Sequence, residues 1–158
     1  MEDENYLRNM LSAYLDSKKG GELTSLQEKT AANGIILSEK DYEMIVAGNK
    51  NLLKIHDRFE FGKSAAIKIA EKFSESAYAD KKNFAEMVTE LTDFFYDVKN
   101  AADESVNDEE LIEILFDYFE NRCGGSIELL TSRYAESILN GESIEECDRR
   151  EFEPDDFD

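Results

Sequence analysis

Apolar positions recur along most of this chain at intervals of three and four residues, the spacing of helices that bury one face. Asn5 to Leu15 carries Tyr6, Leu7, Met10, Leu11, Tyr14 and Leu15 on one stripe, and Lys18-Lys19-Gly20-Gly21 follows as a basic end and a hinge. That predicts an amphipathic arm over residues 1–21, set apart from a bundle over 22–150. Thr24 to Asn33 predicts a second helix, with Gly34 where a left-handed residue is wanted. Ser38 with Asp41 forms a near capping box for a helix to about Asp57, whose inward face is Tyr42, Ile45, Val46, Leu52, Leu53 and His56.

Arg58-Phe59-Glu60-Phe61-Gly62 alternates instead, putting both rings on one side and both charges on the other, which predicts an extended connector. Helices are predicted from Ser64 to Ser74 and, capped by Asp80, through Phe84, Met87, Val88, Leu91, Phe94, Phe95 and Val98. The latter segregates Glu86, Glu90, Asp93 and Asp97 onto another face. Asn107 with Glu110 caps a helix to Asn121 whose Leu111, Ile112, Ile114, Leu115, Phe116, Tyr118 and Phe119 cover more than half its circumference. Such a helix is either central or covered by a partner. Gly124-Gly125 breaks the chain, Ser126 caps a helix to Leu139, and Ser143 starts a last short turn. The expectation is an all-α, single-domain helical bundle of six or seven helices, with its one extended connector near 58–62.

Composition narrows what such a bundle does. At 158 residues one domain suffices to bury a core. The 37 acidic side chains against 18 basic ones give a net charge of −19, which disfavours direct nucleic-acid binding and anionic membrane surfaces. The balance is +7 and −7 over Ser38–Glu75, but −10 over Asp80–Asn121 and −7 over Glu142–Asp158. The last eight residues, Glu-Phe-Glu-Pro-Asp-Asp-Phe-Asp, predict a flexible acidic tail over 151–158. No apolar run is long enough to span a bilayer. Two cysteines 24 positions apart, without a secretory leader at the start, predict reduced thiols and a cytoplasmic setting.

Candidate chemistry is sparse. His56 is the one histidine, at the end of an apolar row, where a satisfied core or interface residue is expected. Glu109-Glu110-Leu-Ile-Glu113 matches half of the magnesium site of all-helical nucleotide pyrophosphohydrolases, and Glu90-Leu-Thr-Asp93 supplies a Glu-x-x-Asp, though upstream rather than on the following helix. A divalent-metal hydrolase holding Mg or Mn on Glu90, Asp93, Glu109, Glu110 and Glu113 is therefore the alternative enzyme reading; otherwise no cofactor is expected. Arg122-Cys123-Gly124-Gly125-Ser126 reads as a helix stop and a cap in preference to an anion site.

Phe59-Glu60-Phe61-Gly62, Phe95-Tyr96 with Lys99-Asn100, Asp108-Glu109-Glu110-Leu111-Ile112 and Gly125-Ser126-Ile127-Glu128 follow one another in an order that resembles a family of short uncharacterised bacterial proteins, a domain of unknown function. The resemblance spans roughly Thr30 to Leu130. Where that family tends to a glycine run after its Phe-Gly pair, this chain has Gly62-Lys63-Ser64. The resemblance implies no activity and so no catalytic residues. The leading expectation is a non-catalytic interaction or regulatory protein that contacts a partner or a second copy through Ile112, Phe116, Tyr118 and Phe119 and through Leu7, Leu11 and Tyr14 of the arm. A third reading is an acidic mimic of nucleic acid that occupies a basic partner.

Overall fold

The computed structural model describes the backbone of residues 2–102 and 106–152, and the side chains of these except 2–4, 12, 14–19 and 150–152. Among the described residues there are eight α-helices and no strand: α1 Glu2–Ala32, α2 Glu39–Ile55, α3 Ala65–Phe73, α4 Phe84–Ala101, α5 Asp108–Asn121, α6 Ile127–Ser132, α7 Ala135–Leu139 and α8 Ile144–Phe152.

Helix starts follow local chemistry. Ser38 Oγ accepts from the Asp41 amide while the Asp41 carboxylate accepts from the Ser38 amide, closing the capping box. Ser64, Asn107 and Ser126 each accept from the amide three residues on. Asp80 departs from the expectation. It accepts from the amides of Lys82 and Asn83 in a turn that precedes α4, and the helix begins only at Phe84.

Helix ends are equally local. Gly34 takes φ +81°, with the Ile35 amide reaching Thr30 O and the Gly34 amide reaching Ala31 O, so the chain leaves α1 in a left-handed turn that buries Ile35. The same pair of bonds closes α2, from Arg58 N to Leu53 O and from Asp57 N to Lys54 O. There the left-handed residue is Asp57, at φ +54°.

Two further boundaries differ. The helices expected at 5–15 and 24–33 are one, because α1 runs unbroken through Gly20-Gly21. A helical glycine costs only about 1 kcal/mol relative to alanine, too little to stop a helix whose following turns bury Leu26 and Thr30. The single helix expected from Ser126 to Leu139 is two, α6 and α7, because the chain turns at Arg133-Tyr134 to bury the Tyr134 ring against Tyr118, 5.3 Å between centroids. Glu151 and Phe152 of the expected tail continue α8, and 153–158 lie outside the described residues.

The hub of the bundle is the short helix α3. Ala65, Ala66, Ile67, Ile69, Ala70 and Phe73 are all buried, and α1, α2, α4 and α5 pack around them. Three alanines let neighbouring backbones approach closely, and each fully buried Ile or Phe stabilises by about 1.5–3 kcal/mol. Phe73 meets Phe119 and Phe116 edge-on at 5.3 and 5.4 Å. α4 packs against α2 and α3, and also against α6 and α7.

Candidate functional site

The connector between α2 and α3 concentrates the unusual features of the surface. Phe59 and Phe61 are 90% and 93% exposed, while Glu60 between them turns inward. The reason is polar: Glu60 Oε1 accepts from the Ala65 amide at 3.1 Å and from Asn49 Nδ2 at 3.2 Å, and Oε2 accepts from the Tyr96 hydroxyl at 2.7 Å. The carboxylate thus meets the free amides at the start of α3, where the helix dipole favours negative charge. Asn49 is buried with both ends of its amide engaged, since Oδ1 accepts from the Ala66 amide at 3.1 Å and shares the single Tyr96 hydroxyl proton with Glu60, also at 3.1 Å. Burial, and then the hydrogen bond and charge of Glu60, push the Tyr96 phenol far above its ordinary range.

The segment is held at its start as well. Arg58 Nη1 donates to Asn100 Oδ1 at 2.7 Å, and Asn100 Nδ2 donates to the His56 carbonyl at 3.1 Å. One residue earlier on α4, Lys99 donates to Val106 O at 2.7 Å and pairs with Asp108 at 3.1 Å, tying the loop after α4 to the start of α5. Glu60, Tyr96, Lys99, Asn100 and Asp108 are among the residues on which the family resemblance rests. In the fold they form the scaffold that presents two phenylalanine rings to water. The alternation of 58–62 in the sequence put both rings on one side of an extended connector; nothing local revealed that this side would face water, or that Asn49 and Tyr96 would hold the carboxylate on the other.

The residues expected at an interaction surface separate into two groups. Ile112, Tyr118 and Phe119 are interior, enclosed by the chain's own helices, and Phe116 is half-buried under Phe73 and the Lys72 ammonium. The broad apolar girth of α5 is consumed by α3, α6 and the Tyr134 turn, so that face is not an outer surface. Leu7 and Leu11 do face solvent, with Tyr6 and Met10, on the part of α1 that precedes Leu26, the first of its described side chains to be buried. The Tyr14 side chain lies outside the described residues.

The carboxylates expected at a Mg or Mn site do not meet. Glu109 and Glu113 reach across to α3, where they pair with Lys68 at 3.0 Å and Lys72 at 3.1 Å; Glu110 points to solvent. The hydrogen bond and charge of Lys68 lower the Glu109 pKa. Both glutamates line a cleft of about 790 Å³ between α1, α3 and α5, together with Lys29, Lys63, Lys68 and Lys72. These ammonium groups already neutralise carboxylates where a divalent cation would have to compete. Glu90 and Asp93 open instead into a separate cavity, with Asp97 and Thr131.

His56 is joined to this second place. Its side chain, 9% exposed, sets Nε2 2.7 Å from Asp93 Oδ1 and Nδ1 3.6 Å from Asp97 Oδ1, with the ring tilted against Tyr96 at 5.7 Å. Among the described residues, these three form the one group of histidine, cysteine or acidic side chains whose ligating atoms all lie within 4.8 Å of one another. Cys123 is buried and its thiol is pushed up to about 11 by desolvation, the opposite of an activated nucleophile. Gly124 and Gly125, both at positive φ, make the expected helix stop before Ser126. No helix among the described residues is long and apolar enough to cross a membrane.

Residues 22–145 match the family of unknown function DUF6323, and the chain belongs to that family. The match begins within α1, beyond Gly21, and extends at both ends past the span over which the resemblance was read. No curated protein and no solved structure matches the chain.

Proposed function

We propose that this protein is a non-catalytic helical interaction module whose contact element is the Phe59-Glu60-Phe61 connector. One observation carries the reading: two phenylalanines are almost wholly exposed on a segment whose intervening side chain is locked into the bundle. Leaving a phenylalanine in water forgoes about 1.5–3 kcal/mol of burial, and a pair of rings on an anchored backbone recovers that energy only against another surface. Anchoring also lowers the ordering entropy that binding must overcome, the usual gain from preorganisation. The exposed stripe of Tyr6, Leu7, Met10 and Leu11 supplies a second apolar contact of the same kind.

The test is site-specific photo-crosslinking in the native host, with benzoylphenylalanine in place of Phe61. The expected result is one discrete adduct that disappears when Phe59→Ser is added, while the same crosslinker at Asn140, an exposed position beyond α7, produces none. Equal background labelling at both positions sinks the reading.

A further inference from the structure

The geometry points to His56, Asp93 and Asp97 as a binding site for one borderline divalent transition-metal ion, Zn²⁺ being the member best suited to the donors. The inference stands apart from the connector's proposed role and rests on other residues. Two helices converge to build it: His56 caps the end of α2, and Asp93 and Asp97 are one turn apart on the facing side of α4.

The two sides of the imidazole differ. Nε2 lies 2.7 Å from Asp93 Oδ1, and because a carboxylate accepts, Nε2 is the donor of that bond; in the neutral imidazole the Nδ1 lone pair then faces Asp97. Nδ1 to Asp97 Oδ1 is 3.6 Å, outside hydrogen-bond range. Two donors on one zinc ion, each at about 2.0–2.2 Å, stand roughly 3.4 Å apart at a tetrahedral angle. The observed gap is of that size. Asp93 then takes the part of the carboxylate that orients a metal-bound histidine through its other nitrogen.

Position and access agree with this. The ring is fixed by Tyr96 beneath it, and the His56 backbone is fixed by Asn100. A cavity of about 380 Å³, also lined by the hydroxyl-bearing Thr131, opens onto Asp93 and Asp97, and the exposure of these two carboxylates leaves water to complete the coordination. An imidazole nitrogen beside carboxylates selects zinc, cobalt or nickel over magnesium or calcium, which prefer oxygen alone. With His56 neutral the cluster is doubly negative, and a divalent ion balances it.

The test titrates the full chain with Zn²⁺ alone by calorimetry and with Co²⁺ by visible absorption. One ion per chain is expected, with cobalt ligand-field bands and no thiolate charge-transfer band, so that Cys123 and Cys147 are excluded as ligands. Asp97→Asn, at an exposed position, should weaken binding at least about tenfold without loss of fold by circular dichroism, and His56→Gln likewise. Glu110→Gln, an exposed acid on α5, should leave binding unchanged. Zinc binding that is indifferent to Asp97→Asn and His56→Gln would place the ion on other surface carboxylates and overturn the proposal. So would no uptake at millimolar zinc by the folded chain, which would leave the cluster a histidine–carboxylate ion pair only.

Discussion

Replacing Glu60 by alanine removes a single half-buried carboxylate, yet it withdraws the acceptor from three donors at once. The Ala65 amide, in a residue with no exposed surface, loses its 3.1 Å acceptor at the start of α3. Tyr96 Oη loses its 2.7 Å acceptor and turns its one proton to Asn49 Oδ1 at 3.1 Å. Asn49 Nδ2, in a residue only 4% exposed, is left without its 3.2 Å acceptor. A hydrogen bond to a charged group contributes about 1.5–3 kcal/mol net, and a stranded buried donor costs about 1–3 kcal/mol, so a total near 3 kcal/mol is expected once relaxation is allowed. With a urea dependence of about 2 kcal/mol per molar, the unfolding midpoint should fall by about 1.5 M with an unchanged slope. Glu60→Gln keeps one carbonyl acceptor and should lose roughly half as much. The network also holds the connector, so chymotrypsin should cleave after Phe59 or Phe61 many-fold faster in Glu60→Ala under native conditions. A midpoint shift below about 0.3 M would refute the energetic reasoning. A large shift with unchanged cleavage would show that the network stabilises the bundle without restraining the rings.

Four other outcomes follow from the same coordinates. Gly125→Ala should destabilise by about 2 kcal/mol or more, since a left-handed residue costs about 1–2 kcal/mol and the new Cβ would stand 2.3 Å from Tyr78 Cβ; a thermal melt that matches the parent chain contradicts it. Gly20→Ala with Gly21→Ala should add about 0.5–1 kcal/mol each to the helix and raise helicity by circular dichroism, because neither new methyl meets another atom within 4 Å; lost helicity would instead mark a required bend. Tyr96 and Tyr42 are raised far above the ordinary tyrosine pKa of about 10, so the folded state binds more protons than the unfolded one beyond that pH. Their contribution is complete below pH 10 and is lost as pH rises past it; alkaline urea melts should show stability falling there, and less steeply in Tyr96→Phe. Cys123, pushed up to about 11 by burial, holds about one thiolate per thousand at pH 8, and its alkylation should track global unfolding, which fast labelling of the native protein would disprove.

Local rules made much of this molecule legible. Ser38, Ser64, Asn107 and Ser126 carry caps that need only the next three residues, and Gly34 ends α1 by a conformation that needs only itself. The alternation of Phe59, Glu60 and Phe61 likewise marked an extended segment before any packing was known. Continuity through Gly20-Gly21 was not legible, because two glycines weaken a helix by an amount that its neighbouring turns decide. The girth of α5 was read correctly as excess apolar surface, but a helix cannot report whether its own chain or another covers it. Phe73, Phe119 and the turned-in Tyr134 decide that here.

The amino-acid order by itself determined an all-helical chain, its caps and stops, its uneven negative charge and the placing of two rings on one side of a connector, since each depends on interactions within a few residues. Which helix became the hub, which carboxylate was drawn inside by Asn49 and Tyr96, and the meeting of His56 with Asp93, 37 residues away, and with Asp97 were settled only by the tertiary structure. Those outcomes turn on distances between segments far apart in the chain, and on how much water their packing excludes, and no local pattern encodes either.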